Sequence, residues 1–178
     1  MKEIEKHENL KRCAIYSYGK NNHMPNGYEL IGLFSNDRNG LQASVIKHEK
    51  EIIISFRGTN FELSREGLND AKNDYQMWKR KFPEQANSAL QVYYNIHQQY
   101  PNAEIILTGH SLGGSLAQIV GALYDVETVT FNAYGVKDVI KTNQAIYPDK
   151  ITVLNSFYGK SVGEMSQSEI DELLDDVI

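Results

Sequence analysis

The sequence is poor in cysteine and in long apolar runs, and both shortages limit what the protein can be. Cys13 is the single cysteine of the 178 residues, so no disulfide forms within the chain and a zinc site of clustered cysteines is excluded. No run of about 18 apolar residues that could span a bilayer is present. The charged start, Met1 to Lys6, lacks the apolar stretch of a signal peptide. We therefore expect a cytoplasmic protein as synthesised, with export by a non-classical secretion route left open.

Positive charge is also scarce. The 18 Lys and Arg residues face 23 Asp and Glu residues, a formal net charge of −5, and the longest basic run is Lys79-Arg80-Lys81. Because a phosphate backbone is bound by clustered basic residues, nucleic acid is not an expected partner. The composition, 41% hydrophobic and 23% charged, is typical of a soluble globular protein. The length predicts one domain over residues 1–178, with no metal or cofactor needed to hold its core.

Apolar periodicity predicts the order of strands and helices. Strands are predicted at residues 28–34, 41–47, 51–56, 104–108, 128–131 and 151–155. Helices are predicted at residues 3–18, 68–78, 86–97, 111–124 and 136–141, with a last acidic helix from Ser168. Pro83 is expected to open the 86–97 helix and Pro101 to close it. The alternation of strands and helices in the second half predicts an α/β fold with a mostly parallel sheet.

One segment carries a recognisable chemical pattern. Residues 109–113 read Gly-x-Ser-x-Gly, preceded by an apolar β-prone run and followed by good helix formers. A serine nucleophile needs this strand-turn-helix context, in which glycines allow the neighbouring chain to approach closely. Ser111 is therefore the candidate nucleophile, and the backbone N–H of Leu112 is the candidate donor to a developing oxyanion. The structural alternative is a glycine-containing turn that only leads into a helix and has no catalytic role.

Two neighbouring features are weaker signals. His110 lies next to the elbow serine and should point away from it, so we expect a packed, hydrogen-bonded histidine. Gly58 ends an apolar strand, and it would let a backbone amide turn outward at the carboxyl edge of the sheet, where ligands bind in α/β folds. The alternative there is a plain turn with Arg57 as a solvated charge.

Three motifs in order resemble one family. Gly-His-Ser-Leu-Gly-Gly at 109–114, with Ile-Ser-Phe-Arg-Gly-Thr at 54–59 and Thr-Phe-Asn-Ala-Tyr-Gly at 130–135, resembles the class 3 lipases, particularly their bacterial and phage-borne branch. The resemblance extends from about Cys13 to Val162. It implies a three-layer α/β-hydrolase-like fold, here truncated at its C-terminal side.

The resemblance also implies functional roles. Ser111 would be the nucleophile, and the backbone N–H of Thr59 would be the second oxyanion donor beside Leu112. The substrate would be a carboxylic ester of lipid type, which implies transient contact with a membrane surface. Residues 61–69 lie where such lipases carry a mobile lid.

The chain departs from the family at the other two members of the triad. The family order is serine, acid, histidine, but the five histidines lie at positions 7, 23, 48, 97 and 110, all upstream of Ser111. The position that matches the family's acid is occupied by Lys160. Without a general base, a serine hydroxyl is a weak nucleophile.

Three explanations stay open. The triad partners are lost or lie on another polypeptide, or an upstream histidine has been recruited, or the chain is a degenerate hydrolase that binds a ligand or a partner. The candidate substitute bases are His23, which a polar loop could bring to the site, and Lys160, whose amine would have to be desolvated to be neutral at pH 7. His97 is expected in the core, and His48 in a solvent-facing turn.

The acidic C-terminal helix has an apolar stripe that includes Leu173 and Leu174, and such a stripe needs a partner surface. We expect a homodimer or a second chain there. Two functions therefore compete. The first is a lipolytic serine esterase, either a phospholipase A1 or an acylglycerol lipase. The second is a catalytically inactive lipase-like module that binds lipid or another protein.

Overall fold

A computed structural model describes residues 2–16, 18, 23–57, 71–133, 136 and 151–154, with the backbone alone at 71–83, 151, 153 and 154. Over these residues the chain forms three helices and a six-stranded sheet whose strand order follows the chain order. The elements are α1 (Lys2–Tyr16), β1 (Glu29–Asn36), β2 (Leu41–His48), β3 (Glu51–Arg57), α2 (Ala71–Gln99), β4 (Glu104–His110), α3 (Leu112–Tyr124), β5 (Glu127–Phe131) and β6 (Ile151–Leu154). All six predicted strands are present.

The sheet has an antiparallel half and a parallel half. β1, β2 and β3 pair antiparallel, and β2 and β3 form the predicted hairpin, with Val45 opposite Ile54. From β3 onward the pairs are parallel, and Ile54 lies beside Leu107, which lies beside Thr128. The carboxyl ends of β3, β4 and β5 therefore meet at one edge of the sheet, which is where α/β folds place their ligand sites.

Helices cover both faces of the sheet, which gives three layers. Along β3, Ile52 and Ile54 pack into the core that faces α2 and α3, whereas Ile53 packs with Leu10 and Cys13 of α1. Alternate residues of a strand point to opposite faces, so a strand buried on both sides reads as a continuous apolar run. The three-layer α/β-hydrolase-like fold predicted from the motifs is confirmed.

Helix α2 differs from the prediction. Two helices were expected, with Pro83 in the first turn of the second, but one helix of 29 residues runs through Pro83. An interior proline costs about 3 kcal/mol, because it removes a backbone hydrogen bond and clashes with the preceding turn. Burial of Ala89, Val92 and Ile96 against the sheet offsets that cost, since Val and Ile each contribute about 1.5–3 kcal/mol when fully buried. The helix ends at Gln99, before Pro101, as predicted.

Several predicted segments lie outside the described residues: the lid candidate at 61–69, the helix at 136–141 apart from Val136, and the acidic C-terminal helix. None of the described helices combines the length and the apolar character needed to cross a membrane.

Two glycines let α3 pack directly on the sheet. A Cβ added to Gly113 would lie 2.0 Å from the carbonyl oxygen of Phe56 in β3. A Cβ added to Gly109 would lie 2.6 Å from the carbonyl carbon of Gly113. Both obstacles are backbone atoms, which cannot rotate away. Glycine is therefore required at these positions for β3, β4 and α3 to meet as closely as they do.

We predict that Gly113→Ala destabilises the fold by about 1–3 kcal/mol, because the methyl group forces α3 away from β3. Gly32→Ala is the matched control, since a Cβ at Gly32 would meet no atom closer than 3.6 Å. Urea unfolding followed by circular dichroism gives both free energies. Equal stability of the two variants would contradict the close packing of α3 on β3.

Candidate active site

Ser111 occupies a strained turn between β4 and α3. Its backbone has φ 52° and ψ −123°, a conformation that residues other than glycine rarely adopt and that costs about 1–3 kcal/mol. The N–H of Ser111 donates to the carbonyl of Phe131 at 3.0 Å, and its own carbonyl accepts from the N–H of Ser115 at 3.1 Å. The backbone is thus fixed to β5 on one side and to α3 on the other. The strand-to-helix elbow predicted from the sequence is present.

Neither the hydroxyl of Ser111 nor the first N–H of α3 is used inside the helix. Ser111 is half-buried and its side chain does not cap α3. Leu112 is the first residue of α3, so its N–H has no carbonyl acceptor within the helix and carries the positive end of the helix dipole. The candidate nucleophile and one candidate oxyanion donor are therefore adjacent. Thr59, the other candidate donor, lies outside the described residues.

His110 points to the opposite face of the sheet. Because Gly109 faces α3, the next residue along the strand faces α1, and His110 is only 4% exposed there. The packing prediction is confirmed. The predicted hydrogen bonding is not found for Nε2, which is buried with no partner among the described residues. Burial, with a smaller contribution from the charge of Lys11, lowers the pKa of His110 to about 4. The ring is therefore neutral at pH 7 and turned away from the serine.

Tyr18 contacts the ends of both β3 and β4, a role that no motif or spacing in the sequence predicts. Its hydroxyl donates to the carbonyl of His110 at 3.4 Å, and its ring meets the His110 ring edge-on at 6.1 Å between centroids. The guanidinium carbon of Arg57 lies 4.7 Å from the centre of the same ring. Burial raises the pKa of Tyr18 to about 12, and the charge of Arg57 opposes that rise. Arg57 is half-buried over an aromatic ring, so the alternative of a solvated charge is wrong.

A second strained residue follows β5 at the same edge. Asn132 has φ 47° and is 1% exposed, and it comes directly after Phe131, whose carbonyl holds the N–H of Ser111. Such strain persists only where the surrounding structure fixes it, and it is concentrated at functional sites. Two of the four described non-glycine residues with positive φ, Ser111 and Asn132, thus follow the carboxyl ends of neighbouring strands, whereas the other two, Glu49 and Asp125, follow β2 and α3.

The structure brings no described histidine to Ser111. His23 is exposed in the loop before β1 and makes no hydrogen bond to the serine. Lys160, the other candidate substitute base, lies outside the described residues.

His97 and His48 both differ from expectation. His97 is exposed and stacks on Tyr93 at 5.8 Å, so its placement in the core is wrong, because at the end of α2 its ring extends past the sheet. His48 is the last residue of β2 and stacks on Tyr28 at 4.0 Å, with Nδ1 3.4 Å from a carboxylate oxygen of Glu51. It is half-buried rather than solvent-facing, since the Tyr28 ring covers it. Both lie toward the edge of the sheet opposite Ser111.

Comparison with known proteins assigns the family. A family model described as a Tle-like phospholipase domain matches residues 15–152. The chain belongs to this phospholipase-like family. The resemblance to class 3 lipases is confirmed, whereas the bacterial or phage-borne branch stays a prediction.

Relatives of known sequence match over a short segment. The candidate lipase ATG15 of Vanderwaltozyma polyspora is 50% identical over 48 residues, which cover 27% of this chain and 8% of that protein. The match therefore spans less than a tenth of the relative's length, and it does not carry the activity of the whole relative.

Solved lipases share the fold. Lip2 lipase from Yarrowia lipolytica has a TM-score of 0.55 at 20% identity, over 75% of this chain and 59% of Lip2. Rhizomucor miehei lipase has a TM-score of 0.52 at 17% identity, over 74% of this chain and 53% of that lipase. At these identities the likeness establishes the fold alone, and this chain spans little more than half of each lipase.

We predict that His110 makes the fold sensitive to mild acid. Its pKa of about 4 in the fold lies below the ordinary value of 6.5, so below pH 6.5 the unfolded chain binds the proton first. The contribution of neutral His110 to the free energy of unfolding is fully present above about pH 6.5. The free energy of unfolding therefore falls by about 2 kcal/mol between pH 7 and pH 5. Urea unfolding at these two pH values measures the change.

His110→Gln should remove most of that pH dependence, whatever its effect on stability at pH 7. His23→Gln, at an exposed position, is the matched control and should keep it. An unchanged pH dependence in His110→Gln would show that the ring is not held neutral by burial.

Proposed function

We propose that this lipase-like and phospholipase-like domain carries the nucleophile and the oxyanion donors of a lipolytic serine hydrolase, with Ser111 as the attacking residue. The observation that supports this most strongly is the backbone of Ser111, held at φ 52° between β4 and α3 by hydrogen bonds to Phe131 and Ser115. A turn that only connects a strand to a helix gains nothing from such strain. A nucleophilic serine benefits from the strained backbone, because this conformation projects its hydroxyl away from the sheet.

The proposed reaction is acyl transfer from a lipid ester. The Oγ of Ser111 attacks the ester carbonyl carbon and gives up its proton to a base, and the carbonyl oxygen becomes an oxyanion. The N–H of Leu112 donates to that oxyanion, and by family resemblance the N–H of Thr59 does too. Each such donor contributes about 2.7–4 kcal/mol to the transition state. The alcohol or lysolipid then leaves with a proton, and water hydrolyses the acyl-serine.

The base is the missing part of this mechanism. No histidine follows Ser111 in the 178 residues, and His23 makes no hydrogen bond to it. We infer that the base comes from a further polypeptide segment or a partner chain, with Lys160 as the candidate within this chain. The dimer or partner chain expected at the C-terminal helix would be one source of it. Contact with a lipid surface and a cytoplasmic location stay predictions.

The competing function is a lipase-like module that binds lipid or another protein without turnover. This function is favoured because, among the described residues, no histidine donates to or accepts from Ser111, and the ring of His110 is turned away from it. The two functions differ in whether the serine can react when a base is supplied.

We predict feeble hydrolysis of short p-nitrophenyl esters by the isolated chain, with little change between about pH 5 and 8, since no histidine titrates beside the serine. Without the base, oxyanion donors and binding leave about 10³- to 10⁴-fold catalysis over water. A robust rate that Ser111→Ala abolishes and that has an apparent pKa of about 6–7 would instead reveal a recruited histidine. Replacement of His23 would then test whether it is that histidine, and replacement of His48 and His97, which lie toward the opposite edge of the sheet, would serve as controls.

We further predict that added imidazole raises the ester hydrolysis rate in proportion to its neutral form, because it supplies the base. The increase above the reaction of imidazole alone should be lost in Ser111→Ala. It should be kept in Ser35→Ala, a serine at an exposed position of β1. No increase above the imidazole background in the unmodified chain would favour the binding module.

A further inference from the structure

A cavity of about 530 Å³ lies at the end of the sheet opposite Ser111. It is lined by the first residues of β4 and β5, Glu104 and Glu127, whereas Ser111 follows the carboxyl end of β4. At about 3.3 Å per strand residue, the seven residues of β4 separate the two places by roughly 20 Å. A ligand in this cavity is therefore distinct from a lipid ester at Ser111.

Three aromatic rings form one wall of the cavity. The rings of Tyr93 and Tyr124 lie 4.7 Å apart with a tilt of 34°, and the ring of His97 stacks on Tyr93 at 5.8 Å with an angle of 8°. Tyr124 is 45% exposed and His97 is exposed, so this wall is open to a ligand. The faces of tyrosine rings attract cations through the ring quadrupole.

The rest of the lining is negative or apolar. Tyr124 is the last residue of α3, so the negative end of that helix dipole lies at the cavity. Glu104 adds an exposed carboxylate, whereas the carboxylate of Glu127 is paired with Lys6 at 2.9 Å. Among the described lining residues there is no lysine or arginine, and Ile105 and Val126 are apolar. An anion is disfavoured here, and a cation that carries methyl groups is favoured.

We propose that this cavity binds an organic cation of the trimethylammonium type. A compact metal ion is a poorer match, because the described residues contain no group of three His, Cys, Asp or Glu side chains that could hold one. Methyl groups would contact Ile105 and Val126, and the positive charge would lie against the exposed ring of Tyr124, which packs on the buried ring of Tyr93. The proposal is independent of the chemistry at Ser111.

Calorimetric titration of the full chain with choline tests the proposal. We expect saturable binding of choline and of tetramethylammonium, and at least tenfold weaker binding of 3,3-dimethylbutan-1-ol, which has the shape of choline without its charge. Tyr124→Leu should weaken choline binding by about 2- to 30-fold, the range expected for one cation–π contact. Tyr124→Phe should keep most of it, because the ring remains.

Tyr94→Leu is the matched control, since Tyr94 is also on α2 and 51% exposed but does not line the cavity. Ser111→Ala should bind choline as the unmodified chain does. Competition by phosphatidylcholine vesicles, but not by phosphatidylglycerol vesicles, would identify a lipid headgroup as the source of the cation, whereas binding without competition would identify a free cation. The absence of saturable binding, equal binding of the neutral analogue, or equal losses in Tyr94→Leu and Tyr124→Leu would each overturn the proposal.

Discussion

The strained backbone of Ser111 is the constraint on which the candidate site depends. A residue with a side chain is held at φ 52° because its N–H donates to the carbonyl of Phe131 and its carbonyl accepts from the N–H of Ser115. That geometry requires β4, β5 and α3 to meet closely, and they meet because Gly109 and Gly113 have no side chain to keep them apart. The strands β4 and β5 and the helix α3 thus meet at the turn that holds Ser111.

The core offsets the cost of this strain. A positive φ at Ser111 costs about 1–3 kcal/mol, and full burial of one large apolar side chain contributes about 1.5–3 kcal/mol. Phe56 and Leu107, which flank the elbow on neighbouring strands, are both fully buried. The elbow can therefore keep its shape before a substrate arrives, which is what oxyanion stabilisation requires. The two candidate sites lie at opposite ends of the parallel strands. The strained residues Ser111 and Asn132 follow the carboxyl ends, and the cavity with aromatic and acidic lining lies at the amino ends.

Much of the fold could be predicted from the sequence because its signals are local. The six strands are apolar runs bounded by turn residues, and the elbow is a five-residue pattern between a strand and a helix. The continuity of α2 through Pro83 could not be predicted, because it is decided by burial against the sheet. The contact of Tyr18 with Arg57 and His110 brings together residues far apart in sequence, and no periodicity encodes it. His97 follows the apolar spacing of its helix, but the helix extends past the core at that point.

Labelling with a fluorophosphonate shows directly whether Ser111 is a reactive nucleophile. An activated serine at a preformed elbow reacts with such a probe, and peptide mass spectrometry identifies the modified residue. We expect slow, stoichiometric modification of Ser111 in the folded chain, faster modification when imidazole is added, and none in urea. A folded chain that leaves Ser111 unmodified with imidazole present, or that is modified equally well when unfolded, would contradict the account.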